Sequence, residues 1–179
     1  MSELRPVPDL LGPGLRLLLV GINPSILSSD TGHHFAHPGN RFYPALARAG
    51  IIGPDETDPA RAAVALRRAG VGISNLATRP TARASELADD ELRGAPDRLA
   101  TLVAEHRPRV VAVAGISAYR VAFAARRARP GRQPDDLAGA ELWVVPNPSG
   151  LNAHETIASL ADAYAEVADR AGVPRNPPE

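Results

Sequence analysis

Three short, almost continuous apolar runs, Leu15–Val20, Val110–Ala114 and Glu141–Val145, constrain this chain more than any other feature. Each has the length of a strand and is apolar at successive positions, the pattern of a strand buried on both faces. Each ends at a chain-turning residue: Gly21, Gly115 and Pro146. The segments between them have helical spacing: Arg41–Ala49 stopped by Gly50, Pro59–Ala69 stopped by Gly70, Ser117–Arg127, and Glu155–Ala171. Asp89–His106 is also helical, with a kink expected near Gly94-Ala95-Pro96 and a stop at Pro108. Val71–Leu76 is a weaker strand. Gly21–Asn40, the stretch around Arg79-Pro80-Thr81, and Arg129–Gly139 read as loops, and Val173–Glu179 as a short flexible tail. Strands alternating with helices predict an α/β three-layer sandwich with a mainly parallel central sheet flanked by helices. With no repeat and no linker, the 179 residues are expected to form a single domain with its core at about 14–172.

Two absences narrow the chemistry. There is no cysteine, which removes disulfides, thiolate metal sites and cysteine nucleophiles. There is no lysine either, since all 20 basic side chains are arginine. That removes the Gly-Lys-Ser/Thr phosphate loop and any side-chain Schiff base, because a guanidinium stays protonated. No apolar run reaches the roughly 20 residues that span a bilayer, and the start shows no basic-then-apolar leader pattern, so a soluble cytoplasmic protein without membrane contact is expected. Net charge is zero but uneven: Glu105–Arg132 holds seven arginines against one glutamate, whereas residues 133–179 hold two arginines against eight acids. The basic stretch permits contact with phosphates or is simply a solvated surface.

In parallel sheets ligands sit beyond the carboxyl ends of the strands. Here those ends carry Gly21-Ile22-Asn23-Pro24-Ser25, the stretch from Asn75 to Thr81, Gly115-Ile116-Ser117 and Asn147-Pro148-Ser149-Gly150-Leu151. Two of the four are Asn-Pro-Ser turns, which place amides on rigid backbone at converging positions.

These turns, together with Thr31-Gly32-His33-His34-Phe35-Ala36-His37-Pro38-Gly39-Asn40-Arg41-Phe42, Gly70-Val71-Gly72-Ile73-Ser74-Asn75-Leu76 and Arg79-Pro80-Thr81, resemble the mismatch-specific uracil-DNA glycosylase / thymine-DNA glycosylase family. The ordered motifs run from about Gly14 to Tyr164 and are most similar to the bacterial members. The resemblance implies a uracil-DNA glycosylase-like fold and a monofunctional, metal-independent enzyme needing no cofactor. Such an enzyme flips a uracil or related pyrimidine out of double-stranded DNA, with U:G mismatches the expected target. It then hydrolyses the N-glycosidic bond and leaves an abasic site for base excision repair. A monomer that acts at the bacterial nucleoid is expected. Without lysine, strand cleavage by a lyase step is not expected.

The resemblance also implies roles. Asn23 holds and polarises the attacking water, and Thr81 supports that water through its backbone carbonyl. Phe35 stacks on the flipped base while the backbone of Ile22 and Phe35 bonds its edge. Asn75 reads the remaining polar edge, Ser28 meets the pyrimidine 5-position, and His34 forms a pocket wall or a phosphate contact. Asn147, Ser149, Gly150, Leu151 and Asn152 form the wedge and backbone contacts, Leu151 filling the gap left by the extruded nucleotide. Asn147 stands where faster uracil glycosylases carry a histidine, which implies slower turnover.

Several positions depart from the family pattern. Ser25 replaces the usual Gly, Asn75 replaces the Lys of bacterial members, and Ile116 stands where a basic residue often follows the Gly. Ala153 replaces an Arg that reads the opposing strand, leaving Asn152 or His154 as substitutes. Two other readings stay open at this stage. His33, His34 and His37 share a loop and could hold a metal, although their spacing fits no helix-borne motif. A lesion-binding protein without turnover would need the same wedge and pocket. Asp30 reads as an exposed turn residue and Trp143 as core.

Overall fold

A computed structural model describes residues 3–179. Strands β1 (Leu17–Gly21), β2 (Val71–Asn75), β3 (Val110–Ala114), β4 (Gly131–Arg132) and β5 (Glu141–Val145) form one sheet in the order β2-β1-β3-β5-β4. All neighbours are parallel except β4, a two-residue antiparallel edge on β5. Helices are α1 (Ile26–Thr31), α2 (Phe42–Arg48), α3 (Pro59–Ala69), α4 (Asp89–Arg93), α5 (Ala95–His106), α6 (Ile116–Ala122) and α7 (Ile157–Ala171).

Side chains alternate across the sheet, so each strand feeds two cores. Leu17, Leu19, Ile73, Ala112 and Val145 pack with α2, α3 and α7 on one face. Leu18, Val20, Val111, Val113 and Val144 pack with α5 and α6 on the other. This is the three-layer α/β sandwich the apolar runs predict.

Local chemistry explains the boundaries. Asp58 caps α3 by accepting from the Ala60 and Arg61 amides, Pro59 opens it, and Gly70 closes it at φ +79°. The expected kink is a real break, with α4 ending at Arg93 and Pro96 set in the first turn of α5. Four expectations need correction. The loop Gly21–Asn40 contains α1, capped by Ser25 and closed by Gly32 at φ +73°; one and a half turns are too few to show periodicity. Helix α6 stops at Ala122 rather than Arg127, and the chain turns through Ala124 at φ +52°. Helix α7 begins after the Thr156 cap, two residues later than its spacing suggests. The last segment is not a free tail up to residue 176. Val173 is buried, Arg175 donates to the Ala49 carbonyl at 2.8 Å and pairs with Asp169, and the Asn176 amide bonds the Gly50 carbonyl at 2.7 Å.

The order β2-β1-β3 places the switch point of the sheet between β1 and β3, where connections leave in opposite directions and a crevice opens. The basic stretch does not form one patch there. Arg107 and Arg109 precede β3 at the opposite edge, Arg120 folds onto the Ala128 carbonyl, and Arg132 pairs with Asp136 and Glu141.

Candidate active site

A cavity of about 140 Å³ lies at the carboxyl ends of β1, β2 and β3, lined by Gly21, Ile22, Asn23, Ser28, His34, Phe35, Asn75, Thr81, Asn147 and Ser149 among others. This is small beside the roughly 300–1,000 Å³ of pockets for drug-sized ligands and suits one flat ring. Among the described residues that line it there is no carboxylate and no arginine.

Asn23 is held rigidly. Its Nδ2 donates to the Thr81 hydroxyl at 2.7 Å and to the Arg79 carbonyl at 2.9 Å. Thr81 passes its own proton to the Arg83 carbonyl at 2.8 Å, and its amide bonds the Pro24 carbonyl at 3.1 Å. Thr81 therefore meets Asn23 through its hydroxyl. With Nδ2 occupied on both sides, Asn23 keeps Oδ1 to accept from a water.

The walls follow from one small residue. A Cβ on Gly21 would lie 2.7 Å from Asn75 Oδ1 and 2.9 Å from Phe35 Cζ, so only glycine lets both side chains converge on the end of β1. Phe35 adopts a left-handed φ of +53° and stacks on the fully buried Phe42 with centroids 3.9 Å apart. Asn75 Nδ2 meets His34 Nδ1 at 3.2 Å, and His34 Nε2 meets the Pro8 carbonyl at 2.8 Å. Burial lowers the His34 pKa below its ordinary 6.5, offset in part by the Pro8 carbonyl and by Asp9. Ser25 caps Ser28 through its amide and donates to the Ser28 hydroxyl at 3.0 Å, so the departure at position 25 is a structural cap with a second bond into the wall.

The residues expected to form the wedge divide. Asn147 and Ser149 line both this cavity and an adjoining cleft of about 680 Å³, which Leu151, Asn152, His154 and Arg83 also line. Leu151 is 86% exposed, the most exposed large hydrophobic side chain among the described residues. Gly150 lies outside both spaces and packs on the Gly39 carbonyl, where a Cβ would sit at 2.6 Å. Asn152 is committed to its own turn: it donates to the Asn147 carbonyl at 3.1 Å and accepts from the His154 amide. Of the two substitutes for the missing Arg, His154 alone has a free, exposed side chain.

Sequence reasoning missed Arg41 and Arg98. The Arg41 guanidinium donates to the carbonyls of Ser149 at 2.6 Å, Asn152 at 2.8 Å and Glu155, while its amide bonds the Pro148 carbonyl. It thus clamps the loop 148–155 to the start of α2. Its place in Asn40-Arg41-Phe42 was the available signal. Arg98, at the end of the first turn of α5, reaches the carbonyls of Asn75 and Leu76 at the end of β2, and nothing in its spacing marks it. The three loop histidines do not gather: His37 is exposed and accepts from the Gly39 amide, His34 is buried, and His33 is half-buried. No group of three or more His, Cys, Asp or Glu able to hold a metal occurs among the described residues.

The architecture matches a solution NMR structure from Methanosarcina acetivorans, described as a candidate uracil DNA glycosylase, with a TM-score of 0.66 at 20% identity over 93% of this chain and 98% of that one. The fold is therefore that of a uracil DNA glycosylase-like α/β sandwich. A family model, the uracil DNA glycosylase superfamily, matches residues 8–168, and the chain belongs to that superfamily. Its role is that of a DNA glycosylase acting on N-glycosyl bonds.

Proposed function

We propose that the protein is a monofunctional uracil-DNA glycosylase that takes uracil out of duplex DNA, with a modest preference for guanine opposite, and leaves an abasic site. The observation that carries the reading is the pinned Asn23 amide, with a free Oδ1, in a ring-sized cavity beside the exposed Leu151. Leu151 enters the stack as the base leaves it, replacing lost stacking with apolar contact. The base enters the cavity lined by Phe35 and Asn75. Asn23 Oδ1 accepts a hydrogen bond from water and aims its lone pair at the sugar carbon. As the glycosidic bond lengthens, the sugar gains oxocarbenium character and the pair of electrons stays on the base. Uracil delocalises that charge over its ring, so departure needs hydrogen-bond donors rather than a strong acid. An amide cannot take up the proton of water, which passes to solvent as the water oxygen bonds the sugar carbon and the uracil anion departs, so turnover is slow.

The enzyme works as a monomer in the bacterial cytoplasm and has no lyase step, in keeping with the absence of lysine. With Asn152 occupied and Ala153 short, the preference for guanine opposite rests on Leu151 and His154 and is modest. Base release from end-labelled duplexes with one uracil, in EDTA and followed by alkali, tests this. Release from U:G above U:A and single strands, with strand breaks only after alkali, is the expected result. Binding without release on every substrate would make the protein a lesion binder, and breaks before alkali would contradict the monofunctional reading.

A further inference from the structure

The short segment ahead of β1 lies along β2 and contacts it residue by residue. Leu10 forms an antiparallel bridge with Ile73, each amide on the other's carbonyl at 2.9 Å. Asp9 accepts from the Ser74 hydroxyl at 2.7 Å. Pro8 reaches the next position, Asn75, through His34. We infer that Pro8–Leu10 is a positioning strap of the active site, in which the Pro8 carbonyl, acting through His34, sets which end of the Asn75 amide faces the base. The inference rests on the glycosylase reading of the cavity and supplies its choice of base edge.

Each link allows one assignment. The Pro8 carbonyl only accepts, so His34 Nε2 must carry the proton. A neutral imidazole has one N–H, so Nδ1 is an acceptor, and burial keeps the ring neutral. The Asn75 atom 3.2 Å from Nδ1 must then be its NH2 group. Oδ1 is left on the Gly21 and Phe35 side of the cavity, where the missing Cβ of Gly21 makes room for it. The site thus offers an acceptor to a pyrimidine N–H and repels a ring nitrogen that carries a lone pair. His34 also lines the cavity, and its influence on the base edge runs through Asn75, to which its Nδ1 is turned. The groups that face it are Asp9, His33 and the Tyr43 hydroxyl, which donates to the His34 carbonyl at 2.5 Å.

Two measurements on the full chain test the strap. Long-range proton–nitrogen NMR reads the tautomer of His34, assigned by its loss in His34→Gln. The Nε2–H form at neutral pH is expected, and the Nδ1–H form or an imidazolium would overturn the inference. In single-turnover uracil release, His34→Gln should fall about tenfold, the effect of one misoriented hydrogen bond, with duplex affinity unchanged. His34→Asn, which still offers Asn75 an acceptor, should lose less. Wild-type rates in His34→Gln, or equal losses in rate and affinity, would also overturn it. If the wild type releases no uracil, the glycosylase reading fails while the tautomer result still judges the strap.

Discussion

Adding one methyl group at Gly21 probes how the cavity is built. The Cβ of Gly21→Ala would stand 2.7 Å from Asn75 Oδ1 and 2.9 Å from Phe35 Cζ, about 0.7 Å and about 0.5 Å inside the 3.4 Å at which ordinary contact begins. Tips of free side chains would swing away, but these are fixed. Asn75 is tied to His34 and Phe35 lies on Phe42. Backbone strain does not enter, since Gly21 is not among the positive-φ glycines. The cost is therefore overpacking, about 1–3 kcal/mol, which lowers the melting temperature by roughly 2–4 °C per kcal/mol in a chain of this size. The functional loss is larger than the stability loss implies, because displacement of a positioning group by up to 1 Å costs as much as about 100-fold in rate. Single-turnover release from a U:G duplex should fall about 10- to 100-fold, with affinity for undamaged duplex unchanged. A variant that melts lower yet releases uracil at the wild-type rate would refute the idea that Gly21 sets the Phe35–Asn75 spacing.

Leu151→Ala should leave stability within about 0.5 kcal/mol, as befits an exposed side chain, but weaken uracil release from duplexes more than from single strands, where no stack has to be filled. Arg41→Ala should cost about 2–4 kcal/mol in urea unfolding, because the carbonyls of Ser149, Asn152 and Glu155 lose a charged donor together. Arg41→Lys should recover little of it, lacking the fork. Acid should act in two separate windows, read from urea midpoints against pH. His34 is lowered in the fold, so the unfolded chain binds its proton first. Its contribution is whole above about 6.5 and is lost as pH falls from there through the lower folded value. Glu141, held at about 2 against its ordinary 4.5 by Arg170, contributes fully above 4.5 and loses it only as pH falls toward 2. His34→Gln should erase the first window and leave the second.

The strands were legible because burial on both faces writes itself as consecutive apolar residues: Val110–Ala114 and Glu141–Val145 were found to the residue. Helix α3 was equally plain, since Pro59 and Gly70 bracket it. Helix α1 was not, because it is too short to show periodicity, nor were two-residue β4 and the anchored stretch 173–176, which are fixed by contacts with distant chain rather than by their own pattern. Within the site, Asn23, Phe35, Asn75 and Leu151 stood in recognisable motifs. The contacts that hold them did not show: Arg41, although within a quoted motif, spans more than 100 positions to Ser149, Arg98 reaches strand ends from the first turn of α5, and Pro8 acts through a backbone carbonyl that no sequence pattern marks.

The central claim is that Asn23 Oδ1 aims the water that breaks the glycosidic bond. Single-turnover uracil release and duplex affinity, measured side by side for wild type and Asn23→Ala, test it most directly. Release is expected to fall by about 100-fold or more, the scale of losing one oriented group, while affinity for the uracil duplex stays within about twofold. Release that survives in Asn23→Ala, or that falls only in step with affinity, would contradict it.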